Sequence, residues 1–182
     1  MRLIGFKYLR RKRILTLALI LTLASILFSI TAFSFIGFYK GFNAYLGEGE
    51  DIVAIYNRRS RTPFTGLVPM YLTEPISIMN GVLASSPEVI VPCAMKDESI
   101  FLRGIIPEEF SKLNRLSMVE GGMLELSDVN SMVVGRTLAE RLDLKLGEKV
   151  IVLGVLADRY MELEVKGIYD SQSVMDDEGL VP

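Results

Sequence analysis

Histidine is absent from the 182 residues of this chain, and so is tryptophan. Without imidazole, the chain cannot form a Ser-His or Cys-His nucleophile pair or a histidine metal site. Carboxylate clusters at Asp97-Glu98, Glu108-Glu109 and Asp176-Asp177-Glu178 could still support acid/base chemistry or calcium binding. Because solvated turns and helix starts explain all three clusters, we predict a non-enzyme with no catalytic residue, cofactor or metal site.

Cysteine occurs once, so no disulfide can form within the chain. Cys93 lies in the apolar run VIVPCAM, which predicts a small buried side chain rather than a reactive thiol.

Charge is missing from Ile14 to Tyr39, a stretch bracketed by Arg13 and Lys40. As a helix it would be roughly 39 Å long, enough to cross a hydrocarbon core of about 30 Å with some tilt. A signal peptide would have a shorter apolar core, of about 7–15 residues, and a small-x-small cleavage site, whereas Phe42-Asn43-Ala44 starts with a bulky residue. The stretch therefore predicts an uncleaved transmembrane helix.

Acidic residues are also missing before this helix, where six basic residues occur: Arg2, Lys7 and Arg10 to Arg13. The positive-inside rule then places the N-terminus in the cytoplasm of a single-pass cell-membrane protein. From Gly41 onward there are 13 basic and 22 acidic residues, which argues against nucleic acid as a partner. We predict a cytoplasmic segment 1–13, a transmembrane helix 14–39, a linker 40–50 and an extracytoplasmic domain 51–182.

Small residues recur along the apolar stretch at spacings of 4, 3, 4 and 3, and so share one helix face. They are Ala18, Thr22, Ser25, Ser29 and Ala32. Small faces let membrane helices approach closely, and hydroxyls can bond across the contact. We predict a helix-packing face here, although other small residues of the stretch lie off it.

The start of the outer domain predicts a strand at 51–57, followed by a basic loop with Arg58, Arg59 and Arg61. That loop could touch lipid headgroups, but a solvated loop is the preferred interpretation. A helix is expected from Thr73 until Ser85-Ser86-Pro87 stops it.

A hairpin is predicted next, from a strand at 88–92 or as far as 95, a turn at 96–98 and a strand at 99–106. Pro107 then opens a short helix, and Gly121-Gly122 marks a turn.

The second half predicts a strand at 131–134, a helix with Leu138, Ala139 and Leu142 inward, and a stop at Gly147. An antiparallel pair follows at 149–153 and 160–168, and the chain closes with a polar stretch and an apolar end. The whole favours one transmembrane helix plus a mixed α+β domain, either single or in two small lobes.

Three pieces of this half carry a family resemblance: MVVGRTLAERLDLKLGEKVIVLG, LEVKGIYDS and DDEGLVP. They resemble the extracytoplasmic core domain of MacB-like ABC transporter permeases, a family that includes the FtsX-like and lipoprotein-release permeases. Upstream pieces such as FLRGIIPEEF and EGGML occur in the same order, so the resemblance covers nearly the whole chain. Its most specific part is Val134 to Gly147.

The resemblance implies a non-catalytic permease subunit. Its expected partners are a separate cytoplasmic ATP-binding subunit, further permease spans or a second permease copy, and membrane lipid. The sequence has no GxxxxGK[ST] phosphate loop, so any ATPase is a different protein.

One departure from the family leaves a second hypothesis open. Family permeases continue into three more spans, whereas this sequence stops at Pro182, as a fragment, a broken gene product or half of a split permease would. The alternative is a single-span anchored binding or scaffold module without transport activity.

Overall fold

The computed structural model describes residues 11–46, 52–60, 66–155 and 159–182, and for 41–46 the backbone alone. The chain divides into two compact units, Met1–Glu48 and Gly49–Pro182. Within its described residues the first unit is helical, and the second combines a sheet with short helices. This confirms the predicted fold class of one long apolar helix followed by an α+β domain.

Helix α1 spans Arg11–Leu46, 36 residues, and continues beyond both ends of the predicted stretch 14–39. Among the described residues it is the one helix long and apolar enough to cross a membrane, over Arg11–Lys40. Except for the half-buried Ala32, the side chains described along it are exposed in the isolated chain. Large aliphatic and aromatic groups thus cover its surface, as expected of a helix whose solvent is lipid.

The second unit contains seven strands and three short α-helices within its described residues. The strands are β1 (Glu88–Met95), β2 (Glu98–Ile105), β3 (Ser117–Gly121), β4 (Ser131–Gly135), β5 (Lys149–Gly154), β6 (Arg159–Asp170) and β7 (Glu178–Val181). The helices are α2 (Thr73–Ser77), α3 (Pro107–Leu113) and α4 (Arg136–Leu142), with 3₁₀ turns at Met70–Leu72 and Val174–Asp177.

The seven strands form one sheet in the order β3-β6-β4-β7-β2-β1-β5. A further β5–β6 pairing closes six of them into a barrel, and β3 pairs with β6 alone. Closure depends on the length of β6, which has 12 residues. Its first half pairs with β5 and its second half with β3, while β4 occupies its other edge. The β4–β6 and β2–β7 pairs are parallel, and the rest are antiparallel. Closure removes most free sheet edges.

Two apolar cores lie on opposite faces of β4, whose central residues are fully buried. Met132 and Val134 belong to the larger core, which the inward residues of α4 and the hairpin strands complete. Val133 belongs to the smaller one, with Phe110 and Tyr169. The predicted inward positions of α4, at Leu138, Ala139 and Leu142, are confirmed: they lie in the larger core.

The predicted hairpin is confirmed, with β1 and β2 in register from Glu88–Ile105 to Met95–Glu98. Its two-residue loop, Lys96-Asp97, has φ of 51° and 64°. Positive φ at both central residues defines the turn that matches the twist of antiparallel strands. The helix opened by Pro107 and the antiparallel β5–β6 pair are also confirmed.

The predicted strand at 51–57 is wrong, because the described residues 52–60 contain no strand. Apolar alternation produces a strand only with a pairing partner, and here Val53 is 81% exposed. The helix from Thr73 is shorter than predicted: α2 ends at Ser77, and turns follow in which the N–H of Met79 donates to the carbonyl of Ile76 and Gly81 adopts a φ of 91°. The apolar end of the chain, left without an element in the sequence analysis, is strand β7.

Candidate functional site

The predicted packing residues Ala18, Thr22, Ser25, Ser29 and Ala32 all lie on α1, as a continuous helix requires. A shallow groove runs along the helix surface, and Thr22, Ser25 and Ser29 contribute to its lining. Its other lining residues are larger or lie off the predicted face: Ile26, Ile30, Phe33 and Ser34. The groove thus includes the centre of the predicted face and extends to one side of it. Helix packing at this face stays a prediction.

Threonine hydroxyls of α1 bond within the helix itself. Thr22 Oγ1 donates to the carbonyl of Ala18 at 2.8 Å, and Thr16 and Thr31 bond in the same way to residues four positions back. A hydroxyl satisfied in this way can enter hydrocarbon without an unmet donor. Thr22 therefore keeps its acceptor lone pairs, but not its proton, for a neighbouring helix.

The second unit contains a buried ionic cluster that joins three strands. Arg103 on β2 directs Nε to Glu178 Oε2 at 2.7 Å and Nη2 to Glu178 Oε1 at 3.2 Å, a bidentate contact with β7. Its Nη1 donates to Glu88 Oε2 on β1 at 2.5 Å. Arg103 and Glu178 are both buried, with Glu178 1% exposed, whereas Glu88 reaches solvent. The cluster therefore fixes β7 to the hairpin.

Burial by itself lowers the pKa of Arg103, but the hydrogen bonds and negative charges of Glu178 and Glu88 outweigh it and raise that pKa above its ordinary value. The guanidinium is therefore charged throughout the physiological range. A buried arginine that stays charged and pairs with two carboxylates stabilises the fold and does not take part in proton transfer.

The segment after β6 is fastened by a second set of polar contacts. Asp176 Oδ1 accepts from the backbone N–H of Ser171 at 2.6 Å and from its hydroxyl at 2.7 Å. The hydroxyl of Tyr169 donates to the carbonyl of Met175 at 2.5 Å. Burial, reinforced by the charge of Glu178, raises the pKa of Tyr169, so its proton stays in that bond.

The solvated turn predicted for the acidic run 176–178 is wrong for two of its three residues, because Asp176 and Glu178 are buried. Asp177 alone is exposed, and it pairs with Arg141, which also contacts Glu98. Glu178 begins β7 and pairs with the distant Arg103, whereas Asp176 lies in the 3₁₀ turn before it and accepts hydrogen bonds from Ser171. Neither partner can be identified from the acidic run itself.

The other candidates for chemistry are spread over the second unit. Glu108 and Glu109 lie in the first turn of α3, and Glu98 begins β2. Among the described residues, no group of three or more cysteine or acidic side chains is arranged to hold a metal ion. Cys93 is buried, as predicted, and burial raises the pKa of its thiol.

No model of a known protein family matches the sequence, and no curated protein matches it significantly. Among solved structures, the extracellular domain of the noncanonic ABC-type transporter YknZ from Gram-positive bacteria is 19% identical, with a TM-score of 0.46, over 62% of this chain and 61% of that one. A domain of a protein assigned as a permease in Porphyromonas gingivalis is 12% identical, with a TM-score of 0.39, over 53% of this chain and 49% of that one. The chain thus spans about half to three-fifths of these structures. Values of this size describe a partial likeness and do not identify an activity.

Proposed function

We propose that this chain is the N-terminal part of a MacB-like ABC transporter permease subunit. Helix α1 anchors it in the cell membrane with the N-terminus in the cytoplasm, and the barrel lies on the extracytoplasmic side. The chain is not itself an enzyme: a separate cytoplasmic ATP-binding subunit supplies the ATP hydrolysis.

The observation that carries the proposal is the packing and backbone conformation of Val134 to Gly147, the most specific part of the sequence resemblance. Val134 is buried in β4, and a Cβ on Gly135 would overlap the backbone of Asp176. Helix α4 follows, and Gly147 turns the chain with a φ of 78°. Leu138, Leu142 and Leu144 are buried, Gly135 is required by packing and Gly147 by its backbone conformation. The motif thus meets the demands of this fold at most of its positions, which supports the resemblance.

The barrel suits the transmission of movement because its last strand is central. β7 lies between β4 and β2, and the Arg103–Glu178 pair holds it in the interior. A force applied to β7 would therefore move the whole sheet, since close-packed interiors transmit displacement rather than absorb it. We propose that the outer unit couples ATPase-driven movement to cargo handling or to an outside partner in this way.

The membrane orientation can be tested by thiol labelling, because Cys93 is the single cysteine. In a Cys93→Ala background, a membrane-impermeant maleimide added to intact spheroplasts should label Lys145→Cys, a position on the outer unit. It should label Arg10→Cys only after the membrane is permeabilised. The reverse pattern would refute the proposed topology.

The partnership is tested by purifying the tagged full chain from native membranes in mild detergent. An ATP-binding subunit that co-purifies, and whose ATP hydrolysis changes when the chain is removed, is the expected result. A stable complex with an extracytoplasmic protein and no ATPase would instead favour the scaffold hypothesis.

A further inference from the structure

Large apolar side chains are exposed in the segment that precedes the barrel. None of the residues described within 52–87 is buried, and Leu83 is 100% exposed. We call the described residues 52–60 and 66–83 the juxtamembrane segment. Its exposed large apolar residues are Ile52, Val53, Ile55, Tyr56, Leu67, Met70, Tyr71, Ile78, Met79 and Leu83. The barrel that follows buries its apolar residues in two cores. So many exposed apolar side chains in one segment therefore indicate an interaction site.

The charge of this region differs in sign from that of the barrel. Residues 52–86 contain three arginines and one glutamate, whereas residues 87–182 contain ten basic and eighteen acidic residues. The region before the barrel is therefore complementary to a negatively charged surface, and the barrel is not.

A defined turn presents two of the arginines. The backbone N–H of Ser60 donates to the carbonyl of Asn57 at 2.9 Å, and the Oδ1 of Asn57 accepts from the N–H of Arg59 at the same distance. The amide Nδ2 of Asn57 donates to the carbonyl of Leu67 at 3.2 Å, which joins the two parts of the segment. Both central residues of the turn, Arg58 and Arg59, are exposed, and neither forms an ion pair with any described residue. The turn holds two guanidinium groups next to an apolar stretch.

We propose that the juxtamembrane segment binds the surface of a lipid bilayer that contains anionic headgroups. Arginine pairs with lipid phosphate, while tyrosine and aliphatic side chains enter the interfacial layer. A membrane is favoured over a protein partner because Ile52 is only the twelfth residue after Lys40, and so short a length of chain limits how far Ile52 can lie from the anchor. The inference rests on the anchoring part of the proposed function and is independent of any ATPase.

The absence of tryptophan makes the contact measurable in the full chain. Tyr56→Trp places a single reporter in the segment, and Tyr160→Trp is the matched control on the barrel, where Tyr160 is also exposed. Each variant is reconstituted in nanodiscs of phosphatidylcholine alone or with phosphatidylglycerol. In anionic discs we expect a blue-shifted emission and quenching by brominated lipid for the reporter at position 56 and neither for that at position 160.

Charge variants test the role of the arginines. Since one arginine near an anionic surface contributes about 1 kcal/mol, each of Arg58→Gln and Arg59→Gln should lower the ratio of lipid-bound to free segment about fivefold. The paired change Lys145→Gln and Lys149→Gln removes twice the charge of either single variant from exposed positions of the barrel and should leave the signal unchanged. High salt should weaken the contact of the unmodified segment.

The outcomes separate this inference from the anchoring on which it rests. A chain that fails to enter discs overturns both. A chain that enters discs with the reporter at position 56 exposed to water in both lipids overturns the lipid contact alone. Shielding that is equal in both lipids and rises with the number of chains per disc identifies a protein–protein contact and also overturns the proposal.

Discussion

In α1 the hydroxyl of Thr22 bonds to a carbonyl four residues away, whereas in the barrel the guanidinium of Arg103 bonds to a carboxylate 75 residues away. Both regions are rich in apolar residues, and both place polar groups where water is scarce. The helix satisfies those groups locally, so its conformation needs no other part of the chain. The barrel satisfies them across strands, so each contact exists only when the sheet has closed. Substitutions that remove a contact between strands should therefore unfold the barrel but leave the helix formed.

The largest effect is expected from Arg103→Met. This change leaves Glu178 buried without its counter-charge, which should cost about 3–5 kcal/mol in the free energy of unfolding. Urea denaturation of the full chain in detergent, followed by a probe of the barrel, measures it. The double variant Arg103→Met with Glu178→Leu should regain much of the loss, because no fully buried charge remains. Equal denaturation midpoints for the single variant and the unmodified chain would contradict the proposed role of the cluster.

Gly135→Ala should have the next largest effect. The φ of Gly135 is an ordinary −68°, so the cost is steric: the new Cβ would meet the backbone of Asp176, which cannot rotate away. Overpacking of this kind typically costs about 1–3 kcal/mol. Gly122→Ala is the matched control, because nothing lies within 4 Å of its added Cβ. The same denaturation assay compares the two variants, and similar losses would show that the contact with Asp176 is unimportant.

Ser25→Leu tests the helix in the same comparison. It should leave barrel denaturation unchanged and weaken association with a partner span by about 1 kcal/mol, because a bulky side chain prevents close approach. A membrane two-hybrid assay measures that association. Ala24→Leu adds the same side chain off the predicted face and should have little effect. If Ser25→Leu associates as strongly as the unmodified helix, the packing-face prediction is wrong.

The smallest effect concerns acid stability of the barrel. Lys166 lowers the pKa of Asp128 below its ordinary 3.8, chiefly through their hydrogen bond, and Lys96 does the same for Glu148, ordinarily 4.5. Since a lowered pKa stabilises the fold above the ordinary value, this stability is lost as the pH falls below about 4. Lys166→Gln should therefore lower the urea midpoint slightly at pH 7 and less at pH 3. An equal difference at both pH values would contradict this.

The elements that the sequence predicted correctly are those with local signals. Pro107 opens α3 because its fixed φ suits a first helical turn, and the Lys96-Asp97 loop joins two runs of apolar residues. The missed elements have signals that depend on a distant partner. β7 is four residues long, too short for a periodic pattern, and it forms because β2 and β4 flank it. The strand wrongly predicted at 51–57 has the pattern but lacks the neighbour.

The distinction between local signals and distant partners also applies to the polar groups. Arg103 interrupts an apolar strand, which indicates an unusual environment, but nothing within the strand identifies Glu178 as its partner. The acidic run 176–178 has the composition of a turn, and only the tertiary structure decides that Glu178 is buried in β7 and Asp176 in the turn before it.

The sequence by itself determined the long apolar helix, the acidic α+β unit and the hairpin and α4 within it, because continuous hydrophobicity, charge bias and short-range periodicity act over a few residues. Only the tertiary structure decided the closure of the barrel, the burial of the Arg103–Glu178 pair and the exposure of the juxtamembrane segment. Those features depend on which strands meet, and pairing between residues far apart in the chain follows from the packing of the whole unit rather than from any local pattern.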